Sequence, residues 1–236
     1  MPMTLDEAAV RSLLTMQELI PVMSRALADL SSGKVVQPVR VMVPVAEHQG
    51  FMGVMPAYGG ALGAKLVTFY PNNTGLHTHH ALILLFRPET GEPLVTMDGR
   101  LITEMRTAAV SAVATQHLAR RTASVLAILG SGVQARSHLE AIRLVRELQD
   151  VRVWSPRNAR AFADRHSVRA TASAEEAVRG ADLIVVASTS MTPVLEGAWL
   201  SPGTHINAVG APRPTWRELD DDALAKSRIY VESREA

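Results

Sequence analysis

The sequence predicts an α/β protein in which an α+β domain precedes a domain built on a parallel sheet. Three observations lead to this prediction. Short β-type runs follow one another up to Phe86 with turns between them, a long alanine-rich segment comes next, and strands alternate with helices from Ser124 onwards. We therefore place the two domains at residues 1–119 and 120–236.

The bulk composition excludes several classes of function. A net charge of +1 without any Lys/Arg-rich run gives no expectation of nucleic-acid binding, and the absence of cysteine excludes disulfides and thiolate chemistry. No stretch reaches the ~18 uninterrupted apolar residues of a membrane span, and the first residues mix acidic with apolar side chains, unlike a signal peptide. We expect a soluble, cytoplasmic protein.

The first 100 residues predict two helices and then an antiparallel sheet. Capping-box patterns at Thr4–Glu7 and Thr15–Glu18 open the helices, Pro21 predicts a kink or a restart in the second, and Ser31–Gly33 ends it. Turn residues separate the β-type runs that follow. The predicted strands are Val39–Val45, Phe51–Pro56, Gly63–Tyr70, His80–Phe86 and Leu94–Met97.

A predicted helix at Ile102–Ala119 separates the region of successive β-type runs from the region after it. There, strands alternate with helices, which indicates βαβ units around a parallel sheet. The predicted strands are Ser124–Leu129, Val151–Trp154, Leu183–Ala187, His205–Val209 and Arg228–Val231. The predicted helices are Gln134–Leu148, Asn158–Arg165, Ala174–Val178 and Asp221–Ala225.

A Gly-x-Gly-x-x-Ala turn joins the first of these strands to its helix. In a dinucleotide site Gly130 makes the tight turn, Gly132 lets the backbone approach the pyrophosphate, and Ala135 lets helix and strand pack closely. The helix N-terminus then offers free N–H groups to the phosphates. A purely structural turn is the alternative, but the βαβ context favours a Rossmann-type domain that binds a nicotinamide dinucleotide.

The end of the second strand indicates which dinucleotide is bound. NAD sites usually place a carboxylate there for the ribose 2′-hydroxyl, whereas this chain has Ser155, Arg157 and Asn158. A hydroxyl, a guanidinium and a helix N-terminus suit a 2′-phosphate, so we predict NADPH, with NADH as the alternative if Arg157 is only a solvated helix-start residue. The next two strands end at Ser188–Ser190 and Asn207–Gly210, where contacts to ribose and nicotinamide are expected.

Three cations lie in apolar surroundings of the first domain. Arg40, Lys65 and Arg106 are each flanked by apolar or small residues, and a buried charge needs a partner. For each cation taken singly, it is an equally good explanation that the charged end extends to solvent or pairs with Asp98, Glu104 or another carboxylate. Together they predict an anionic ligand, in particular a carboxylate.

A histidine cluster follows the third predicted strand of this domain. His77 and His79 fall on the same side of a strand, but two such ligands do not make the spaced set that zinc requires, so no metal is predicted. We expect Thr78 or His79 to donate a hydrogen bond to cofactor or substrate instead. His138, on the helix after the glycine turn, is interpreted as a packing residue.

These residues lie in stretches that, taken in order, closely resemble the ornithine cyclodeaminase/mu-crystallin family over nearly the whole chain. The matching stretches are QPVRVMVPV, GVMPAY, KLVTFY, MDGRLIT, MRTAAVSAVAT, ILGSGVQARSH and HINAVGAPRPTWRELDD. The resemblance implies a Rossmann domain and a substrate domain whose sheet pairs in a homodimer. It also implies a C-terminal segment beyond Ala236 that completes the Rossmann domain and the pocket, so we interpret the chain as truncated and do not assume that residues 1–236 are active alone.

The resemblance also implies roles for individual residues. Arg40, Lys65 and Arg106 line the substrate pocket, and Thr78, His79 and Arg106 reach the cofactor. The cofactor-contacting positions of the Rossmann side are Gly132, Val133, Gln134, Ser155, Arg157, Ser188, Thr189 and Val209. One departure concerns Arg157, because Pro156 stands between it and Ser155 where relatives often have the arginine directly.

The implied reaction is reduction of a cyclic ketimine carboxylate by NAD(P)H. Cyclodeaminases of the family have an essential aspartate where this chain has Pro212, so we do not expect cyclodeamination. Lys65 is our candidate proton donor, since a desolvated lysine approaches a neutral pKa, and Arg106 acts beside it. The alternatives are an alanine-type amino-acid dehydrogenase, and a protein that binds NADPH and thyroid hormone without turnover.

Overall fold

The computed structural model describes residues 2–211 and 215–233, which form two compact units, each with its own sheet. Of the described residues, 2–106 and 231–233 belong to the first unit, and those between 107 and 230 belong to the second. This division falls inside one continuous helix, Arg100–Leu118, rather than after residue 119. Residues 231–233 also group with the first unit, which the sequence did not indicate.

The first unit begins with a strand, β1 (Met3–Leu5), and two helices, α1 (Glu7–Leu13) and α2 (Met16–Ser31). The predicted capping role of Thr4 is wrong, because the residue is held extended in β1 and Asp6 caps α1 by accepting a 2.8 Å bond from the Ala9 amide. The Thr15 cap is confirmed, since its hydroxyl accepts from the Glu18 amide at 3.3 Å.

Helix α2 runs through Pro21 without a restart. Proline removes one backbone hydrogen bond from a helix interior, and burial of the neighbouring Leu19 and Ile20 offsets that loss. The helix ends as predicted, with Ser32 at its C-cap and Gly33 in the left-handed region at φ +74°.

Five further strands complete the first sheet, in the order β1-β6-β5-β4-β3-β2. They are β2 (Val41–Val45), β3 (Gly50–Tyr58), β4 (Leu62–Phe69), β5 (His79–Phe86) and β6 (Pro93–Asp98), and a 3-10 turn covers Ala46–His48. Neighbours from β2 to β6 pair antiparallel, which confirms the prediction for these five. The sheet is nevertheless mixed, because β1 pairs parallel with β6.

The two faces of this sheet differ. Lys65 lies in the interior strand β4, opposite Met55 and Ile83, and shares its face with the buried Val67 and Ala81. The alternate positions face the other way. Several of these opposite-face residues are apolar yet exposed: Val41, Val43, Met52 and Leu82. One face therefore belongs to the core, and the other leaves a broad apolar surface uncovered.

The second unit is a parallel sheet with helices on both faces. After α3 (Arg100–Leu118), its elements are β7 (Val125–Leu129), α4 (Val133–Arg143), β8 (Asp150–Trp154), α5 (Ala159–His166), β9 (Arg169–Ala170), α6 (Ala174–Val178), β10 (Leu183–Val186), a 3-10 turn (Gly197–Trp199), β11 (His205–Ala208) and α7 (Asp221–Ala225). The order β11-β10-β7-β8-β9, with every pair parallel, is that of a Rossmann sheet whose first strand is β7.

The predicted strand at Arg228–Val231 is absent from the described structure. Ile229, Tyr230 and Val231 have the side chains that strands favour, but they pair with no described strand, and all three are exposed. β-propensity reflects a fit to a paired, half-buried surface, so it does not form a strand without that surface.

Both faces of the second sheet are buried, as a parallel sheet requires. One core cluster includes Leu126, Ile128, Leu139, Ile142 and Val153, and the other includes Ala127, Leu129, Ile184, Val186 and Leu195. His138 is buried on α4, and its ring nitrogens lie 2.7 Å from the Gln134 carbonyl oxygen and 3.0 Å from the Ser111 hydroxyl. Burial lowers the pKa of His138 to about 4, so it is a neutral packing residue, as predicted.

Candidate functional site

The glycine turn starts directly after β7, where the strand order reverses. Gly130 has φ +125°, and a Cβ there would lie 2.4 Å from the Ala187 carbonyl oxygen. Its amide donates to the Trp154 carbonyl oxygen at 2.8 Å. Glycine is thus required at 130 by the fold itself, both for its conformation and for the close approach of the loop after β10.

Gly132 is a different case. It is the N-cap of α4 with φ −88°, a conformation open to any residue, and a Cβ there would meet no atom of the described residues within 4 Å. Packing within the chain therefore does not explain a glycine at this position. The first turn of α4 contains no acidic side chain, so open space lies in front of free, positively polarised N–H groups.

Two neighbours of Gly132 complete the fit to a dinucleotide. Ala135 is fully buried, as the third small residue of the motif should be. The Oε1 atom of Gln134 is buried and has no hydrogen-bond partner within residues 2–211 and 215–233. A buried polar atom left unsatisfied is unusual, and a ligand at the turn would supply a partner.

Ser155 links the turn to the end of β8. Its hydroxyl lies 2.9 Å from that of Ser131 and accepts from the Asn158 amide at 3.1 Å. Arg157 is exposed and forms no ion pair with a carboxylate of the described residues, so its guanidinium is available to an anion. The same end of the strand contains no Asp or Glu between Trp154 and Asn158.

A buried glutamate that sequence reasoning missed joins the ends of β10 and β11. One carboxylate oxygen of Glu218 accepts from the Ser188 amide at 2.7 Å and from its hydroxyl at 2.6 Å, and the other accepts from the Gly210 amide at 2.6 Å. Burial raises the pKa of Glu218, although these three bonds oppose the shift. A single glutamate beside a loop gives no motif, so only the matching stretch around it could have drawn attention to it.

The predicted cofactor residues of the second unit thus lie at one edge of its sheet. Gly130 and Ser155 directly follow the carboxyl ends of β7 and β8. Ser188 lies two residues after β10, and Val209 directly follows β11. Val133 and Thr189 are exposed beside them. The crevice outside the carboxyl ends of the strands is where such sheets bind ligands.

The first unit brings its predicted cations together. Burial is the main cause that lowers the pKa of Lys65 to about 8, and the positive charges of Arg106 and then Arg40 lower it further, while Glu232 acts in the opposite direction. The pKa of Arg106 is lowered by burial, and its Nε atom is buried without a hydrogen-bond partner among the described residues. This cluster of positive charge, poor in acids, is suited to an anionic ligand.

His79 belongs to the same cluster. It begins β5 on the face of Lys65, and burial, followed by the charge of Lys65, lowers the pKa of His79, which is therefore neutral at pH 7. Thr78 precedes it and is exposed. His77 and His80 form an edge-to-face ring pair with centroids 6.2 Å apart. In the part of the chain that the structure describes, no three His, Cys, Asp or Glu side chains form a group that could hold a metal.

Two further predictions concern cyclodeamination and membrane spans. Pro212, on which the exclusion of cyclodeamination depends, lies outside the described residues. The described helices include none that is long and apolar enough to cross a membrane.

Comparison with known proteins places these features in a family. The model of the ornithine cyclodeaminase/mu-crystallin family matches residues 1–236. Ketimine reductase mu-crystallin of Mus musculus is 50% identical over 230 residues, which are 92% of this chain and 74% of that protein. The chain therefore spans about three quarters of this curated relative.

Two solved structures share the fold. Delta(1)-pyrroline-2-carboxylate reductase of Thermococcus litoralis, in complex with NADH and L-proline, is similar with a TM-score of 0.90 and 39% identity, over 95% of this chain and 74% of that one. An archaeal alanine dehydrogenase dimer with bound NAD has a TM-score of 0.91 and 36% identity, over 96% of this chain and 73% of that one.

Proposed function

The chain belongs to the ornithine cyclodeaminase/mu-crystallin family, and we propose that it reduces cyclic ketimine carboxylates with a nicotinamide dinucleotide, preferably NADPH. The observation that supports the proposal most is the state of Lys65. Its pKa is lowered to about 8 by burial and by Arg106 and Arg40, so it can release a proton near neutral pH beside two guanidinium groups that suit a carboxylate.

The residues of the cluster divide the chemistry between them. The guanidinium groups of Arg40 and Arg106 hold the substrate carboxylate and orient the ring. The cofactor, when bound, supplies a hydride to the carbon of the C=N bond. Lys65 gives a proton to the ring nitrogen, so that the imine becomes a cyclic secondary amine. His79 is neutral and, with Thr78, can donate a hydrogen bond to the cofactor.

A direct assay tests this function. The purified protein is incubated with NADPH and either piperideine-2-carboxylate or pyrroline-2-carboxylate, and the absorbance of the reduced nicotinamide is followed. We expect this absorbance to fall when the protein, the imine and NADPH are all present, and to stay constant when the imine is left out. No consumption with either imine, under conditions where NADPH binding is measured, contradicts the proposal.

A second candidate reaction has support from the fold. The archaeal alanine dehydrogenase is similar over nearly the whole chain, so pyruvate with ammonia is compared with the cyclic imines in the same assay. Faster reduction of pyruvate with ammonia would favour that reaction. The cation cluster also suits the carboxylate of thyroid hormone, and hormone binding without NADPH consumption would indicate a binding protein.

Removing the Arg157 guanidinium is expected to change cofactor preference. In Arg157→Ala, the affinity for NADPH should fall about tenfold while that for NADH stays the same, because only the 2′-phosphate loses a charge-assisted contact. Dissociation constants from fluorescence titration measure the change. Arg160→Ala, which removes another exposed arginine from α5, is the control and should alter neither. Tighter binding of NADH than of NADPH by the parent protein would refute the preference.

The exposed apolar sheet face supports the proposal of a homodimer. Val41, Val43, Met52 and Leu82 are exposed on one face of the sheet instead of being scattered over the surface. We expect the protein to have twice its 25.5 kDa chain mass in solution, and Leu82→Glu to have the monomer mass, since an unpaired charge in an apolar interface is costly. Light scattering after size exclusion measures both. Leu13→Glu, on α1, should leave the dimer intact, and an unchanged mass in Leu82→Glu would place the interface elsewhere.

A further inference from the structure

Glu218 is buried, with 2% of its surface exposed, and its printed hydrogen-bond partners within residues 2–211 and 215–233 are uncharged donors. Each of its oxygens instead accepts from a different loop. Oε1 accepts from the amide and the hydroxyl of Ser188, two residues beyond β10, and Oε2 accepts from the amide of Gly210, two residues beyond β11. One carboxylate therefore links the two loops beyond the point where the pairing of β10 and β11 ends, at Val186 and Ala208.

The packing around this carboxylate is tight on both sides. A Cβ on Gly210 would lie 2.2 Å from the Ser188 carbonyl oxygen and 2.3 Å from the Glu218 carboxylate. On the other side, the Ala187 carbonyl oxygen lies where a Cβ of Gly130 would meet it at 2.4 Å. A displacement of the loop after β10 would therefore also reach the first residue of the glycine turn.

The position of these loops indicates which part of the cofactor they face. A Rossmann sheet is built from two mononucleotide-binding halves, and the half with the glycine turn and the ribose-binding strand end takes the adenosine side. Here that half is β7, β8 and β9. The loops after β10 and β11 belong to the other half, which faces the nicotinamide side.

We propose that Glu218 is a positioning residue for the nicotinamide half of the cofactor site, acting through Ser188 and Gly210. The proposal rests on the proposed binding of a nicotinamide dinucleotide. A carboxylate suits this task because it only accepts hydrogen bonds and meets three donors here. In a glutamine, one acceptor becomes an NH2 group, which would confront either the Ser188 donors or the Gly210 amide.

The test compares two ligands that differ only in the nicotinamide ring. Glu218→Gln is titrated with NADPH and with 2′-phospho-ADP-ribose, which lacks the nicotinamide, by calorimetry. We expect its affinity for NADPH to fall about tenfold, the effect of one lost hydrogen bond to a charged group, and its affinity for 2′-phospho-ADP-ribose to equal that of the parent protein. A role limited to stability would lower the melting temperature without separating the two ligands.

Two further variants make the result decisive. Glu175→Gln, which changes a half-exposed glutamate paired with Arg179, should bind both ligands like the parent. Glu218→Asp keeps the charge but is too short to reach both loops, and it should show the same ligand selectivity if the glutamine variant does not fold. Equal losses for both ligands, or no loss for either, in a folded Glu218 variant overturn the inference.

Failure of the inference and failure of the proposed function are distinguishable. If the parent protein binds NADPH but does not reduce an imine, the proposed reaction is wrong and the Glu218 comparison still applies, because it measures binding alone. If the parent protein reduces imines while both Glu218 variants bind the two ligands normally, the positioning role is wrong and the reaction stands.

Discussion

Replacing Lys65 with methionine is expected to lower kcat/KM for a cyclic imine carboxylate by about a hundredfold to ten-thousandfold, the usual contribution of general acid–base catalysis. Methionine has a similar length and keeps the apolar stem that lies between Met55 and Ile83. The change therefore removes a proton and a charge but little packing. The affinity for NADPH should be unchanged, because the predicted phosphate contacts lie at the glycine turn.

The pH dependence of the parent protein should report the same group. A proton donor is active only while protonated, so kcat/KM should fall as pH rises through about 8, the pKa to which burial, Arg106 and Arg40 lower Lys65. An ordinary lysine near 10.5 would leave this range flat. In Lys65→Met the decline near pH 8 should disappear together with most of the rate. Initial rates between about pH 6 and 10 measure both effects.

Lys34→Met serves as the control, because Lys34 is exposed and forms a surface ion pair with Asp29, away from Lys65 in the sequence. It should keep both the rate and the decline near pH 8. If Lys65→Met also keeps them, another group donates the proton. A Lys65→Met variant that loses imine binding but turns over normally at saturation would instead limit Lys65 to binding the carboxylate.

The cofactor half of the site was predictable because its signals are local in sequence. The glycine turn, the strand before it and the missing carboxylate near Ser155 fall within about thirty residues, the length of one βαβ unit. The alternation of strands and helices predicted a parallel sheet, which the order β11-β10-β7-β8-β9 confirms. Local patterns of this kind do not depend on distant partners.

The parts that sequence reasoning missed depend on partners far along the chain. Thr4 matches a capping pattern, but pairing with β6 about ninety residues away determines its conformation. Arg228–Val231 has strand-like side chains but no strand beside it. Glu218 gains its three donors only when the ends of β10 and β11 are brought together. Tertiary context overrides local preference in each case.

The cations of the first unit were predictable from the local sequence only in part, because their effect on one another depends on distant segments. Their apolar neighbours predicted burial for all three, which is wrong for Arg40, because this residue is exposed, whereas Lys65 and Arg106 are partly buried. The charges of Arg106 and Arg40 nevertheless lie close enough to lower the pKa of Lys65. The size of that effect could not be predicted from the sequence, because it depends on how three separate segments fold around one strand. That His79 is also held neutral by burial and by Lys65 follows from the same arrangement.

The two glycines of the turn should respond to substitution in opposite ways. In Gly132→Val the side chain enters open space at a φ that valine accepts, so stability should hardly change. That same space is where the pyrophosphate approaches the backbone, so NADPH affinity should fall at least about a hundredfold. In Gly130→Ala, φ +125° and the Ala187 carbonyl oxygen at 2.4 Å oppose any side chain, and stability itself should fall.

Thermal unfolding and NADPH titration of both variants measure this contrast, with Leu144→Ala, which shortens an exposed side chain at the other end of α4, as the control. Normal stability with lost binding in Gly132→Val would show that the glycine at 132 serves a ligand and not the fold. If Gly132→Val binds NADPH as the parent does, the open space before α4 is not a phosphate site. The glycine turn would then be explained by Gly130 alone, whose role is to let β7 and β10 approach closely.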